Sequence, residues 1–211
     1  MVCPTSDLTF SSGHVMRHCE SVLNYLQAKK SMDIQGYSDI FVSQNEQDYY
    51  PEITCGVAAL LMLLKFGNYE PVPTFKQLGE ALRRATPFGQ KGYYDVDMPA
   101  ASFPEDIFRF CVRNNFHFRM HFFDDEWKDS LKLAPIMVLV TGDYEAFGPD
   151  GHWIVIVERN KDIFTYLDPW QKSSDDFIKH FNQADFARYY SGIALQLLPN
   201  TKVAPTINQI Y

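Results

Sequence analysis

From Thr54 to Phe66 the chain reads Thr-Cys-Gly-Val-Ala-Ala-Leu-Leu-Met-Leu-Leu-Lys-Phe, an apolar stretch of helical length that opens on a cysteine. Pro51 precedes it, and Gly67-Asn68 supplies a C-terminal stop. Two later segments matter for that cysteine. Gly151-His152-Trp153-Ile154-Val155-Ile156-Val157 reads as a strand opening on a histidine, and Tyr166-Leu167-Asp168-Pro169-Trp170 as a strand end carrying an aspartate. A thiol nucleophile, a base and a group that orients the base require those three residue types.

The spacing gives each residue a chemical rationale. The first turn of a helix has unpaired N–H groups and a partial positive charge, which favour a thiolate. Gly56 lets another chain approach Cys55 closely, and a neighbouring N–H can face a developing oxyanion. If the strands beginning at His152 and ending at Asp168 pair as a hairpin, the two side chains become neighbours. The carboxylate then accepts the imidazole N–H and fixes its tautomer. Taken singly, a cysteine beside an apolar run is an ordinary core residue, and a strand-edge histidine or an Asp-Pro turn is ordinary structure. The three together favour catalysis.

Composition bounds the rest. The 211 residues are 46% hydrophobic and 15% aromatic, which suits one compact domain with a full core. Formal net charge is −7 and no Lys/Arg run occurs, so nucleic acid and anionic membrane are not the expected partners. No apolar run is long enough to span a bilayer, and residues 1–30 lack a secretory-signal pattern. Cys3, Cys19, Cys55 and Cys111 form no CxxC pair and no disulfide framework. Reduced thiols point to the cytoplasm. A bacterial effector delivered into a host cell cytosol by a signal-independent route would look the same.

Helical periodicity is expected over 14–30, Thr54 to Phe66, Phe75 to Arg84 with Thr74 as N-cap, a segment from Ser102 or Pro104 to Asn114, Trp127 to Leu133, and Asp175 to Phe181. Asp33 to Gly36 reads as a turn and Ser38 to Val42 as a short strand. Further strands are expected at Phe116 to Phe122 with its aromatic face inward, Ile136 to Val140, His152 to Glu158, Ile163 to Leu167 and Gly192 to Leu198. Helices thus dominate the first half and antiparallel strands the second. This is an α+β pattern with a cleft between two subregions. The loop 85–103 contains Tyr93 to Asp97, which we expect to touch the cleft.

These motifs resemble those of the C39-like peptidases of the papain-like superfamily. The family pattern is an apolar strand ending in glutamine, a Cys-Gly helix start, a glycine-His-aromatic strand and a strand ending in Asp-Pro. Here it reads Ile40-Phe41-Val42-Ser43-Gln44, Thr54-Cys55-Gly56-Val57, Gly151-His152-Trp153 and Leu167-Asp168-Pro169. Leu133 to Val140 fits the family strand before the histidine loop. The resemblance implies a papain-like fold, with the cysteine helix packed on an antiparallel sheet that carries the histidine and aspartate. It implies Cys55 as nucleophile, His152 as general base and acid, Asp168 as orienting residue, and Gln44 as oxyanion donor, with Gln47 competing for that role. The resemblance runs from about residue 38 to 199, the expected catalytic domain, and leaves a helical N-terminal extension expected at 1–37 and a tail at 200–211. Two departures are Val57 after Cys-Gly and the long Gln44-to-Cys55 spacing through Tyr49, Tyr50 and Pro51. No transporter segment is attached, so leader cleavage coupled to export is not implied.

The expected activity is hydrolysis of peptide or isopeptide bonds in a protein or peptide substrate, through a thioester acyl-enzyme. Glutamine deamidation or transglutamination on the same triad is the alternative, and a non-catalytic binding module on the same fold is a third. No cofactor and no metal are expected. His14 and His18 have helical spacing but lack further ligands, and His117 and His121 are expected on a solvated face with Arg119 between them. Cys111 reads as core, and Asp124-Asp125-Glu126 as a solvated helix start.

Overall fold

Six strands make one antiparallel sheet, and its two faces bury two separate cores. The computed structural model describes residues 34–85, 103–124, 126–131, 134–142 and 151–198. Along them run α1 (Ile34–Ile40), α2 (Cys55–Phe66), α3 (Phe75–Ala85), α4 (Pro104–Arg113), β1 (Phe118–Phe122), α5 (Trp127–Ser130), β2 (Ile136–Val140), β3 (His152–Asn160), β4 (Ile163–Leu167), β5 (Ile178–Asn182), α6 (Gln183–Tyr189) and β6 (Tyr190–Leu197). The sheet order is β1-β6-β2-β3-β4-β5. The expectations for 14–30, for the loop 85–103 beyond Ala85 and before Phe103, and for the C-terminal tail fall outside the described residues.

The central strands read as apolar runs because both of their faces are covered. Met137, Trp153, Val155, Val157, Leu167, Leu195 and Leu197 face the first core, shared with α2, α3 and α4. Ile136, Val138, Val140, Ile154, Ile156, Phe164 and Ala194 face the second, closed by Trp127, Phe181 and Phe186. Helix α2 lies in the first core with every residue from Cys55 to Leu64 buried. A helix apolar all round is stable only when covered on all sides. It ends where Asn68 takes a left-handed conformation, φ 50°. Helix α3 starts with a reciprocal cap: Thr74 Oγ1 accepts from Gln77 N at 3.3 Å, and Gln77 Oε1 accepts from Thr74 N at 2.9 Å.

Several local expectations are corrected. The turn at Asp33 to Gly36 and the strand at Ser38 to Val42 give way to α1, whose last turn closes with Phe41 N donating to Tyr37 O at 2.9 Å. Asp175 to Phe181 is not a helix. Phe177 packs in the first core and Phe181 in the second. One helical stripe cannot face two cores, whereas β5 and the extended chain before it can. The helix lies later, at α6, where Asn182 Oδ1 caps Asp185 N at 2.8 Å. Strand β1 inverts its expected faces in part: Phe122 is 55% exposed, and His121, expected in solvent, is buried. Cys111 is core as expected, and burial pushes its thiol pKa up. Among the described residues no helix is long and apolar enough to cross a membrane.

Candidate active site

Cys55 is the first residue of α2. Thr54 before it makes no side-chain cap; its hydroxyl donates to the Tyr50 carbonyl at 2.8 Å. The positive end of a helix buried along nearly its whole length therefore lies at the thiol, in a setting where water screens it little. Cys55 keeps 7% of its surface exposed, so the thiol sits at the margin of the core.

His152 opens β3 opposite Val140. Gly151 before it has φ +84°, a conformation that a side chain strains, and a Cβ there would lie 3.2 Å from Leu139. Glycine is thus what permits the sharp entry into β3. Strands β3 and β4 pair antiparallel with Val155 opposite Leu167, and Asp168 is the next residue. The hairpin brings histidine and aspartate together, as antiparallel pairing of the two strands implies. His152 Nε2 lies 2.7 Å from Asp168 Oδ1, with the two side chains 1% and 0% exposed. The same oxygen accepts the Trp170 N–H at 2.9 Å.

The electrostatics follow from this geometry. Burial alone would push the His152 pKa down, but hydrogen bonds to Asp168 and Cys55 and their negative charge outweigh it, raising it to about 9. Burial would push Asp168 up, but the His152 hydrogen bond and charge, the Trp170 N–H and the Gln171 side chain hold it below its ordinary value. With Nε2 engaged by Asp168, the buried Nδ1 is the ring nitrogen left for the thiol. The imidazole of His152 thus interacts with both Cys55 and Asp168.

Gln44 is buried, and its backbone N–H donates to Pro169 O at 2.8 Å, one residue past Asp168. Its side-chain Nε2 donates to the Pro51 carbonyl at 2.5 Å. Gln47, the competing candidate, turns back on its own loop and donates to Ser43 O at 3.0 Å. Sequence reasoning did not single out Asn45 and Glu46, whose side chains also reach the segment after Asp168. Asn45 Nδ2 donates to Trp170 O, and Glu46 accepts from Ser173 N at 2.9 Å and from Ser173 Oγ at 2.5 Å. No local pattern announces contacts between residues so distant in sequence. A second histidine–carboxylate pair was also missed: His121 Nδ1 lies 3.2 Å from Asp124 Oδ1. His14, His18 and the Tyr93 to Asp97 segment lie outside the described residues. Among those described, no cluster of three or more His, Cys, Asp or Glu side chains could hold a metal ion.

No protein-family model matches the chain, and no curated protein matches its sequence. Solved structures do. The peptidase domain of Streptococcus ComA, a bifunctional ABC transporter of a quorum-sensing pathway, aligns with TM-score 0.51 at 18% identity, covering 70% of this chain and 93% of that one. A protein from Bacillus anthracis assigned as a C39-like peptidase aligns with TM-score 0.56 at 13% identity, covering 78% and 97%. A double-glycine-motif protease from an AMS/PCAT transporter, in complex with its leader peptide, aligns with TM-score 0.50 at 15% identity, covering 76% and 91%. Helices packed on an antiparallel sheet, in this order along the chain, give the protein the papain-like α+β fold of the C39-like peptidase domains.

Proposed function

We propose that the chain is a cysteine hydrolase that cleaves peptide or isopeptide bonds in a protein or peptide, with Cys55 as nucleophile, His152 as general base and acid, and Asp168 as the orienting group. The observation that carries this reading is the buried 2.7 Å His152–Asp168 pair with the helix-start thiol of Cys55 interacting with the same imidazole. The likeness in fold to peptidase domains agrees with it, and the neighbour solved with a leader peptide makes a peptide substrate the natural class.

The chemistry runs in two halves. The thiolate of Cys55 attacks the carbonyl carbon, forming a C–S bond and placing negative charge on the carbonyl oxygen. Gln44 is the side chain assigned to that oxyanion. Collapse breaks the C–N bond, and the imidazolium of His152 gives its proton to the leaving amine. In the second half His152 takes a proton from water, the hydroxyl attacks the thioester, and the C–S bond breaks with the electron pair returning to sulfur. Asp168 keeps the ring in one tautomer and stabilises its cationic form throughout. Cys55 and Cys111, which take part in no disulfide, fit a reducing compartment such as the cytosol.

The test is incubation of a peptide library with the full chain and with Cys55→Ala, read by mass spectrometry. Chain cleavage by the wild type alone supports the reading. A small mass gain on glutamine or an amine adduct without cleavage would replace it with deamidation or transglutamination.

A further inference from the structure

An oxyanion donor works only if it is held to within about half an ångström of its productive position. Gln44 belongs to no helix or strand: α1 ends at Ile40 and α2 begins at Cys55. Its backbone position must be fixed from outside its own segment. Asp168, by contrast, is fixed where it stands. It directly follows β4, its N–H donates to Phe177 O at 3.2 Å, its carbonyl accepts from Gln171 N at 3.1 Å, and its carboxylate is tied to Trp170 N and His152.

The loop holding Gln44 is attached to that rigid turn by consecutive residues. Gln44 N donates to Pro169 O, Asn45 Nδ2 to Trp170 O, and Ser173 gives both its N–H and its hydroxyl to the two carboxylate oxygens of Glu46. Phe41, just upstream, stacks on Phe177 with ring centroids 4.2 Å apart. Glu46 is exposed, and exposed polar pairs contribute little to stability. What the pair does supply is register, since both carboxylate oxygens engage a single residue.

We propose that Asn45 and Glu46 are positioning residues, which latch the Gln44 backbone onto the 169–173 turn so that the oxyanion donor and the orienting Asp168 share one rigid support. Pro51 completes the arrangement. Its carbonyl can only accept, so it fixes which end of the Gln44 carboxamide is the N–H₂ end and leaves a second N–H on that nitrogen for substrate. This inference rests on the hydrolase reading above and predicts a defect confined to oxyanion stabilisation.

Two reactions of Cys55 separate the latch from the thiol–imidazole pair. Alkylation by iodoacetamide is a displacement at saturated carbon and forms no oxyanion. Acylation by p-nitrophenyl acetate passes through a tetrahedral oxyanion. Both are measured on the full chain, with Cys55→Ala as blank. Glu46→Ala should slow ester acylation about tenfold while alkylation stays within about twofold, with Asn45→Ala changing in the same sense. Glu46→Gln should recover most of the rate, because its amide oxygen still accepts the Ser173 N–H. Adding Ser173→Ala to Glu46→Ala should give no further loss, since the two report one contact. Gln44→Ala should show the same selective pattern with a larger loss, about 10²-fold. A parallel fall in both reactions, or no change in either, would overturn the latch. Wild-type chain that shows no Cys55-dependent acylation would instead overturn the hydrolase reading on which it rests.

Discussion

Among the described residues two histidine–aspartate pairs stand out, and they are built differently. His152 opens β3 and Asp168 directly follows the neighbouring β4, with their side chains 2.7 Å apart and sealed from solvent. His121 and Asp124 are three residues apart across the end of β1, at 3.2 Å, and the Asp124 side chain is 38% exposed. The first carboxylate is braced by a backbone N–H inside its own turn, and its histidine also interacts with Cys55. The second also accepts a backbone N–H, that of Glu126 at 3.0 Å, and no cysteine adjoins it in sequence. The residue types are the same. Burial and the third partner are what make the first pair the one we propose as catalytic apparatus, while the second closes a turn.

Removing the thiol or the ring should separate the pairs most sharply. Cys55→Ala or His152→Ala should lower peptide hydrolysis at least about 10⁵-fold, while His121→Phe leaves it within about twofold. Comparable losses from His121→Phe would dissolve the distinction. Next in size is Asp168→Asn, which keeps the shape but alters the tautomer that the ring must adopt. A fall of about 10³–10⁴-fold in kcat is expected, against none for Asp124→Asn.

The pH dependence should be smaller and specific to the first pair. The imidazolium must donate to the leaving amine, so amide hydrolysis should fall about tenfold per pH unit above about 9 while Cys55 alkylation does not. Stability should follow the same group. A raised His152 pKa contributes stability fully present below the ordinary histidine value of about 6.5 and lost as pH rises through about 9. The depressed Asp168 pKa contributes stability present above about 3.9 and lost as pH falls below it. In denaturant unfolding as a function of pH, the loss of stability between about pH 6.5 and 9 should therefore be smaller in His152→Ala than in the wild type. The smallest effect is expected at the second pair, where Asp124→Ala should cost no more than about 1 kcal/mol in the same unfolding experiment.

What the sequence made legible follows from contact range. Helix α2 and strands β2 and β4 lie where periodicity put them, because long apolar runs flanked by Gly, Asn or Pro admit few alternatives. The hairpin that joins His152 to Asp168 was readable because antiparallel pairing is a local rule. Ile40-Phe41-Val42 misled because three consecutive buried apolar residues resemble a strand, although α1 runs into Ile40 and Phe41 is then held by Phe177. Phe177, Ile178 and Phe181 mimicked a helical stripe although they serve two cores. His121 looked solvated because it shares a strand face with His117 and Arg119, and only the pairing of β1 with β6 places it opposite Ala194. The latch formed by Asn45 and Glu46 spans more than a hundred residues of chain, and each member alone is an ordinary polar loop residue.

The most direct test of the triad is the pH dependence of Cys55 alkylation by iodoacetamide, in wild type and in His152→Ala, with buried Cys111 as internal reference. The account predicts that wild-type Cys55 reacts readily at pH 6, that Cys111 does not, and that His152→Ala removes the reactivity at that pH. A Cys55 that reacts no faster than Cys111, or equally well without His152, would contradict it.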